Sequence, residues 1–182
     1  MSAASAYLSS PLGLLEIRGT DAGLQAVRFL DNAPAGLYET QKSAVPACLV
    51  EPYQQLQAYF GRELREFDLT YAVEQGTDFQ QRVWGILPRV GFGHTASYLD
   101  LARLLQNPGA VRAVGAANGQ NPLAIVWPCH RIIGANGQLT GYAGGLARKK
   151  WLLDFERPAA QGELFAFASQ PPSGLAQPLN SF

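Results

Sequence analysis

Apolar and polar residues alternate through "LGLLEIRGTDAGLQAVRFL" (residues 12–30) on both sides of Thr20-Asp21-Ala22-Gly23, and this period of two with turn residues at its centre predicts a β-hairpin. After a loop containing Pro34 and Pro46 the period lengthens. In "CLVEPYQQLQAYF", Leu49, Tyr53, Leu56 and Phe60 recur at helical spacing, and Gly61 supplies a stop. "REFDLTYAV" (65–73) reads as a further strand. This first region is a small α/β unit that displays no chemistry.

Beyond it the pattern is helical. In "GTDFQQRVWGIL", Thr77 is an N-cap with Gln80 three residues later, Phe79, Val83 and Ile86 form the apolar stripe, and Pro88 ends the element. A second helix starts at Ser97, with Asp100 at the capping-box position and Tyr98, Leu101, Ala102 and Leu105 on one face. Asn107-Pro108 starts a third, with Pro at its first position, and Asn118-Gly119 stops it. Two short helices around "QNPG" have the proportions of a helix-turn-helix. In "AVRAVGAANG", Val111 and Val114 can face the core, which leaves Arg112, Ala113 and Ala116 outside. A helix that reads major-groove bases wants Asn, Gln and Arg at several positions. This one is either built for close approach with a single projecting Arg, or packed tightly on a neighbour with Arg112 solvated.

Of the 182 residues, 47% are apolar and 15% charged, which indicates a globular protein. Net charge is zero, which by itself argues against nucleic acid, but the charge is unevenly spread. Residues 1–75 hold five Lys/Arg against nine Asp/Glu, whereas residues 76–157 hold nine against four. That asymmetry raises the expectation of a polyanionic partner for the second region, with ordinary surface variation as the alternative. Two cysteines, no secretion signal at "MSAASAYLSS" and no apolar run of about 18 residues imply a reducing, cytoplasmic setting without a membrane span. From residue 158 the chain is rich in Pro, Ala, Ser, Gln and Gly and reads as a loosely attached tail, pinned at most by Leu164, Phe165 and Phe167.

The chemistry is concentrated in "IVWPCHRIIG" (125–134). Cys129 needs a base, a nearby cation or a helix N-terminus to become a nucleophilic thiolate, and His130 could act directly or through a water. A catalytic imidazole needs a partner in turn. Glu156 and Asp154, at the end of "ARKKWLLDFE", are the carboxylates a helix could bring back, and Lys149 lies on the same segment. Local reasoning leaves each of these residues with a plain alternative: a buried structural cysteine, a hydrogen-bonded core histidine, a solvated helix end.

The order "RVW", "SYLDLARLL", "NPGAVRAVGAANGQNPLAI", "PCHRIIG", "GQLTGYAGGLARKKWLL" and a terminal Glu resembles the O6-alkylguanine-DNA alkyltransferase family over residues 77–156. Residues 1–76 resemble that family's variable N-terminal domain in general layout. The resemblance implies a two-domain α+β protein. A small α/β, ribonuclease-H-like N-terminal domain (1–75) precedes a mainly helical domain (76–157) with the helix-turn-helix and the alkyl acceptor, and the tail (158–182) follows. The implied activity is DNA repair by direct, irreversible, single-turnover transfer of the alkyl group from O6-alkylguanine, with O4-alkylthymine as a second substrate, in duplex DNA, the base being flipped through the minor groove.

By the same resemblance, Cys129 is the acceptor, His130 its base acting through a water, Glu156 the residue that orients His130, and Asn121 the support of the active-site loop. Lys149 matches a lysine near the thiol. Arg112 would fill the gap left by the flipped nucleotide, with Ala113, Ala116 and Ser97 also against DNA. Tyr98 would assist flipping and return a proton to the departing guanine. Trp84, Ile132, Tyr142, Ala143 and Gly144 would line the base pocket. The implied partner is double-stranded DNA containing O6-alkylguanine, bound by a monomer able to assemble cooperatively; no cofactor and no metal are implied, since Cys48 is the one N-terminal cysteine for a zinc site that some relatives build there.

Three rivals remain: a lesion-binding relative lacking the acceptor cysteine, a helix-turn-helix transcription factor, which needs no Cys-His-Glu set, and a cysteine hydrolase, which needs no Arg112 on a bare helix. Two positions depart from the family pattern. Trp127 stands where a small aliphatic residue is usual, with altered packing under the active-site loop as the expectation. Ala143 stands where some members carry a Ser, so a contact to the guanine oxygen would have to come from backbone amides.

Overall fold

The computed structural model describes residues 3–158. The expected tail therefore lies outside the described residues beyond Pro158, together with Leu164, Phe165 and Phe167. The hairpin is present as β2 (Gly13–Thr20) and β3 (Gly23–Phe29), and a strand not anticipated from the pattern, β1 (Ala4–Ser10), pairs antiparallel with β2 to give the order β1-β2-β3. Alternation does what it should. Ala6, Leu8, Leu15, Ile17, Leu24 and Val27 are buried on one face, against which α1 (Val50–Phe60) packs Tyr53, Leu56 and Tyr59.

The strand expected at 65–73 is not one. Its contact with β3 is a single parallel bridge, Leu24 to Tyr71, with Leu24 N–H donating to Thr70 O and Ala72 N–H to Leu24 O. The reason is where β3 begins: in the parallel register set by Leu24 and Tyr71, residues 65–69 run past the start of the strand at Gly23 and meet no ladder. Further along β3, Val27 bridges to Leu123 of the second domain instead, with Val27 N–H donating to Pro122 O and Ala124 N–H to Val27 O.

In the second domain α2 spans Asp78–Ile86 and α3 spans Tyr98–Leu104, and each starts with a reciprocal capping box, Thr77 with Gln80 and Ser97 with Asp100. The third helix starts later than expected. Asn107 makes no side-chain cap, Pro108–Ala110 closes as a 3-10 turn through Ala110 N–H to Asn107 O, and α4 occupies Val111–Gly119. A two-residue parallel pair, β4 (Ala96–Ser97) and β5 (Ile132–Ile133), brings the start of α3 beside the segment that follows Cys129. The last element is α5 (Leu146–Glu156). Val83, Trp84, Leu101, Val114, Ile125 and Leu152 join the sheet residues in one buried cluster, so the domains share a core. Among the described residues no helix is long and apolar enough to cross a membrane.

Candidate active site

The segment from Asn121 to Arg131 is a tight, fully engaged turn between α4 and β5. Ile125 sits in the left-handed region (φ 72) although it is β-branched and buried, a conformation that costs on the order of 1–3 kcal/mol and needs its surroundings to hold it. Asn121 supplies much of that restraint. Its Oδ1 accepts from Leu123 N–H at 3.0 Å, and its Nδ2 donates to Trp127 O at 2.7 Å and lies 3.0 Å from Cys129 Sγ. Asn118, buried on α4, donates from Nδ2 to Cys129 O at 3.2 Å. Cys129 is thus positioned by two side-chain amides from the α4 side of the turn, Asn118 on its carbonyl and Asn121 on its sulfur.

Cys129 is 4% exposed. Burial pushes its thiol up to about 11, although the Asn121 hydrogen bond and the charge of Lys149 pull the other way. At neutral pH it rests as a thiol, and a base must take its proton when it reacts. His130 is fully buried, and its Nε2 pairs with Glu156 Oε1 at 2.9 Å while Nδ1 has no hydrogen-bond partner among the described residues. Burial lowers the imidazole below its usual value against the opposing pull of Glu156, so it is neutral and able to accept a proton.

Glu156 is the hub. Oε1 accepts from His130, from Arg131 Nη2 at 2.9 Å and from the Tyr59 hydroxyl at 2.8 Å, while Oε2 accepts from Arg131 Nε at 2.8 Å. Burial alone would raise this carboxyl, but the hydrogen bonds from His130 and Arg131 outweigh it and hold the group down at about 2. A carboxylate that stays ionised keeps the proton on Nε2 and leaves Nδ1 as the basic nitrogen. Asp154, the other carboxylate of that segment, is partly exposed and pairs with Lys150 and Arg157 instead.

Lys149 is completely buried. Its Nζ donates to Ile132 O at 2.5 Å, Thr140 O at 2.7 Å and the Tyr98 hydroxyl at 3.4 Å, and burial lowers its ammonium to about 8 against the opposing influence of Cys129. The Tyr98 hydroxyl donates to Thr140 O at 3.0 Å, which ties α3 to the loop 134–145. Within that loop the Tyr142 hydroxyl is buried without a partner among the described residues, and its proximity to the thiol adds to the effect of burial in raising it. Gly144 lies so close to Tyr142 and Phe29 that a Cβ would come within 2.7 and 3.1 Å of them. A cleft of about 450 Å³ between the domains is lined in part by Phe29, Trp84, Asn121, Ala124, Ala143 and Gly144.

On α4 the outer face is as the pattern required: Arg112, Ala113 and Ala116 are exposed while Val114 and Ala117 are buried. Ser97 is half-buried and its hydroxyl is committed to Asp100. Trp84 borders the cleft only by an edge, being 2% exposed with its indole donating to Ala117 O at 2.7 Å. Trp127 stacks on Trp84 (6.1 Å) and leans on Tyr71 (5.4 Å), so its ring fills space between the domains. Ile132 takes part through its backbone carbonyl, its side chain being in the core.

Cys129, His130, Glu156, Asn121, Lys149 and Tyr98 come together. Four neighbours of the site were not singled out by the sequence: Arg131 and Tyr59 on Glu156, Asn118 on the cysteine carbonyl, and Arg148, which joins Gly144 O, Leu12 O and Asp31 across the domains. Arg131 had a signal, being an Arg beside the Cys-His pair. Tyr59 had none, since it lies 97 residues from Glu156 and next to Phe60, the residue that the helical spacing put on the apolar face.

Residues 78–158 match the family model described as 6-O-methylguanine DNA methyltransferase, DNA binding domain, and residues 4–72 match its ribonuclease-like domain. Proteins named methylated-DNA–protein-cysteine methyltransferase from Mycolicibacterium paratuberculosis and Methanosarcina acetivorans are 45% and 44% identical to this chain, covering 88% and 83% of it and 96% of each relative. The crystal structure of Mycobacterium tuberculosis O6-methylguanine methyltransferase aligns over 91% of this chain and 99% of its own (TM-score 0.75, 43% identity). The M. tuberculosis protein in complex with DNA aligns over 84% and 92% (TM-score 0.72, 44% identity).

Proposed function

The chain belongs to the 6-O-methylguanine DNA methyltransferase family, and from that membership we propose how its own residues perform the transfer. It is a methylated-DNA–protein-cysteine methyltransferase, repairing DNA by moving an alkyl group onto one of its own cysteines. Our reading makes Cys129 that acceptor. What supports it above all is the pairing of a buried thiol held by Asn121 with a neighbouring histidine tied through Nε2 to Glu156, with Nδ1 left without a partner.

The substrate is O6-alkylguanine in duplex DNA, with O4-alkylthymine as the lesser case. α4 enters the minor groove, where the small Ala113 and Ala116 allow close approach and Arg112 takes the place of the extruded nucleotide, with Ser97 near the phosphates. Because Cys129 is 4% exposed, the loop 134–145 moves before the base meets the sulfur beside Tyr98, Tyr142, Ala143 and Gly144. The thiol proton passes through a water to His130 Nδ1, and Glu156 stabilises the imidazolium. The sulfur attacks the alkyl carbon in line, the carbon–O6 bond breaks, and Tyr98, backed by Lys149, gives a proton to the leaving guanine. A thioether forms, which water does not cleave, so each molecule reacts once. A monomer suffices for this, assembly along DNA being an addition to it, and a thiol that must stay reduced suits the cytoplasm.

Arg112→Ala tests the division of labour. It should impair repair of duplex DNA severely, since the finger offsets an unstacking cost of a few kcal/mol, yet leave reaction with free O6-benzylguanine largely intact. If the folded variant loses both activities equally while the wild type has both, Arg112 is structural.

A further inference from the structure

The N-terminal domain carries one polar side chain into the catalytic cluster. Tyr59, at the end of α1, is completely buried and donates to Glu156 Oε1 at 2.8 Å, the same oxygen that receives His130 Nε2. Its ring is held in an aromatic box, with centroids of Phe60 at 5.2 Å, Phe155 at 5.4 Å, Phe67 at 5.6 Å and Phe92 at 6.2 Å. Phe92 also lies under the Arg131 guanidinium at 5.8 Å, and Phe155 precedes Glu156 on α5, so one packed unit holds Tyr59, Arg131 and the carboxylate they share. Tyr59 itself is raised by burial first and by the Glu156 charge second, so it stays a neutral donor.

We infer that Tyr59 is a positioning residue for alkyl transfer, acting through Glu156 to set the orientation and basicity of His130. The inference rests on the function proposed above. The Tyr59 hydroxyl competes with His130 for the lone pairs of Oε1. Without that donor, Glu156 concentrates more negative charge on the imidazole, His130 holds its proton more tightly, and the ring is less firmly fixed. Other charged and titratable groups around the pair stay constant: Arg131 on Glu156, Cys129 and Lys149 beside His130, and the buried hydroxyl of Tyr142. Neutral His130 is the reactive form, so its protonation sets the acid limb of the rate. Removing the Tyr59 hydroxyl must move that limb to higher pH.

The experiment is the pH profile of the second-order rate with free O6-benzylguanine, which bypasses DNA binding, on the full-length protein. Y59F should react three- to thirty-fold more slowly on the plateau, and its acid midpoint should rise by about half a unit or more. Leu8→Ala, a truncation of the buried core on β1 outside the Tyr59 box, should lower the melting temperature and leave the midpoint in place. Site-specific 3-fluorotyrosine at position 59 retains the ring contacts and strengthens the donor, so its midpoint should fall; this arm holds even if Y59F does not fold. An unmoved midpoint in both position-59 variants overturns the inference, whatever the plateau rate. A wild-type protein that fails to react with O6-benzylguanine or methylated duplex overturns the functional reading instead.

Discussion

Replacing Glu156 with Gln removes one charge and keeps the shape, and the structure assigns the consequence a size. The carboxyl is held at about 2 against an ordinary value of 4.5. At roughly 1.36 kcal/mol per unit, ionisation of this group contributes about 3 kcal/mol to stability at neutral pH. A second route gives a similar figure: E156Q leaves the Arg131 guanidinium, 5% exposed, without its counter-charge, and breaking a buried pair costs about 3–5 kcal/mol. The sign follows from a depressed folded value. The contribution is whole above the unfolded value and is lost as pH falls through it towards the folded one. Denaturant unfolding of wild type and E156Q at pH 7 and pH 3 should therefore show a gap of about 3 kcal/mol or more that narrows by about 2 kcal/mol at the lower pH. Asp100 and Asp154, also lowered by their partners, titrate in both proteins and cancel; His130, which Glu156 pulls upward, does not, so both proteins are compared on a His130→Gln background. Parallel curves, with the gap unchanged between the two pH values, would refute the reasoning and reduce Glu156 to a shape in the core.

Binding to undamaged duplex should weaken steeply with salt, roughly a factor of [salt] to the power 0.9 for each phosphate contacted, and vary little among unrelated sequences, because α4 offers Arg112 and few other base-reading groups; a titration at two salt concentrations checks this, and strong preference for one palindrome contradicts it. For Lys149 the sign reverses. An ammonium lowered to about 8 penalises the folded state fully below that pH and progressively less as pH rises towards its ordinary 10.5, so the stability of wild type relative to K149M should increase between pH 8 and 10.5, and a flat difference in thermal melts would show that Lys149 is not desolvated as described.

Capping and periodicity were legible because they are local. Thr77 with Gln80 and Ser97 with Asp100 form in space as they stand in the chain, and the bare face of Arg112, Ala113 and Ala116 follows from 3.6 residues per turn. The strand misread at 65–73 was decided elsewhere, by a β3 that begins at Gly23 and so offers residues 65–69 no partner. Likewise the ring partners of Trp127, Trp84 and Tyr71, lie more than forty residues away in the chain and could not be read from its neighbours. The proposed set of Cys129, His130 and Glu156 was visible by residue type, whereas Tyr59 and Arg148 reach the site across the domains and Asn118 from the preceding helix, contacts that no short-range pattern encodes.

The most direct test of alkyl transfer to Cys129 is a peptide mass spectrum taken after the protein meets a duplex containing one O6-methylguanine. A gain of about 14 Da is expected on the peptide that contains Cys129, with the reaction halting near one methyl per protein molecule, because the thioether has no route back to the thiol. Methylation at Cys48, or continued conversion of DNA well past one equivalent, would contradict the account.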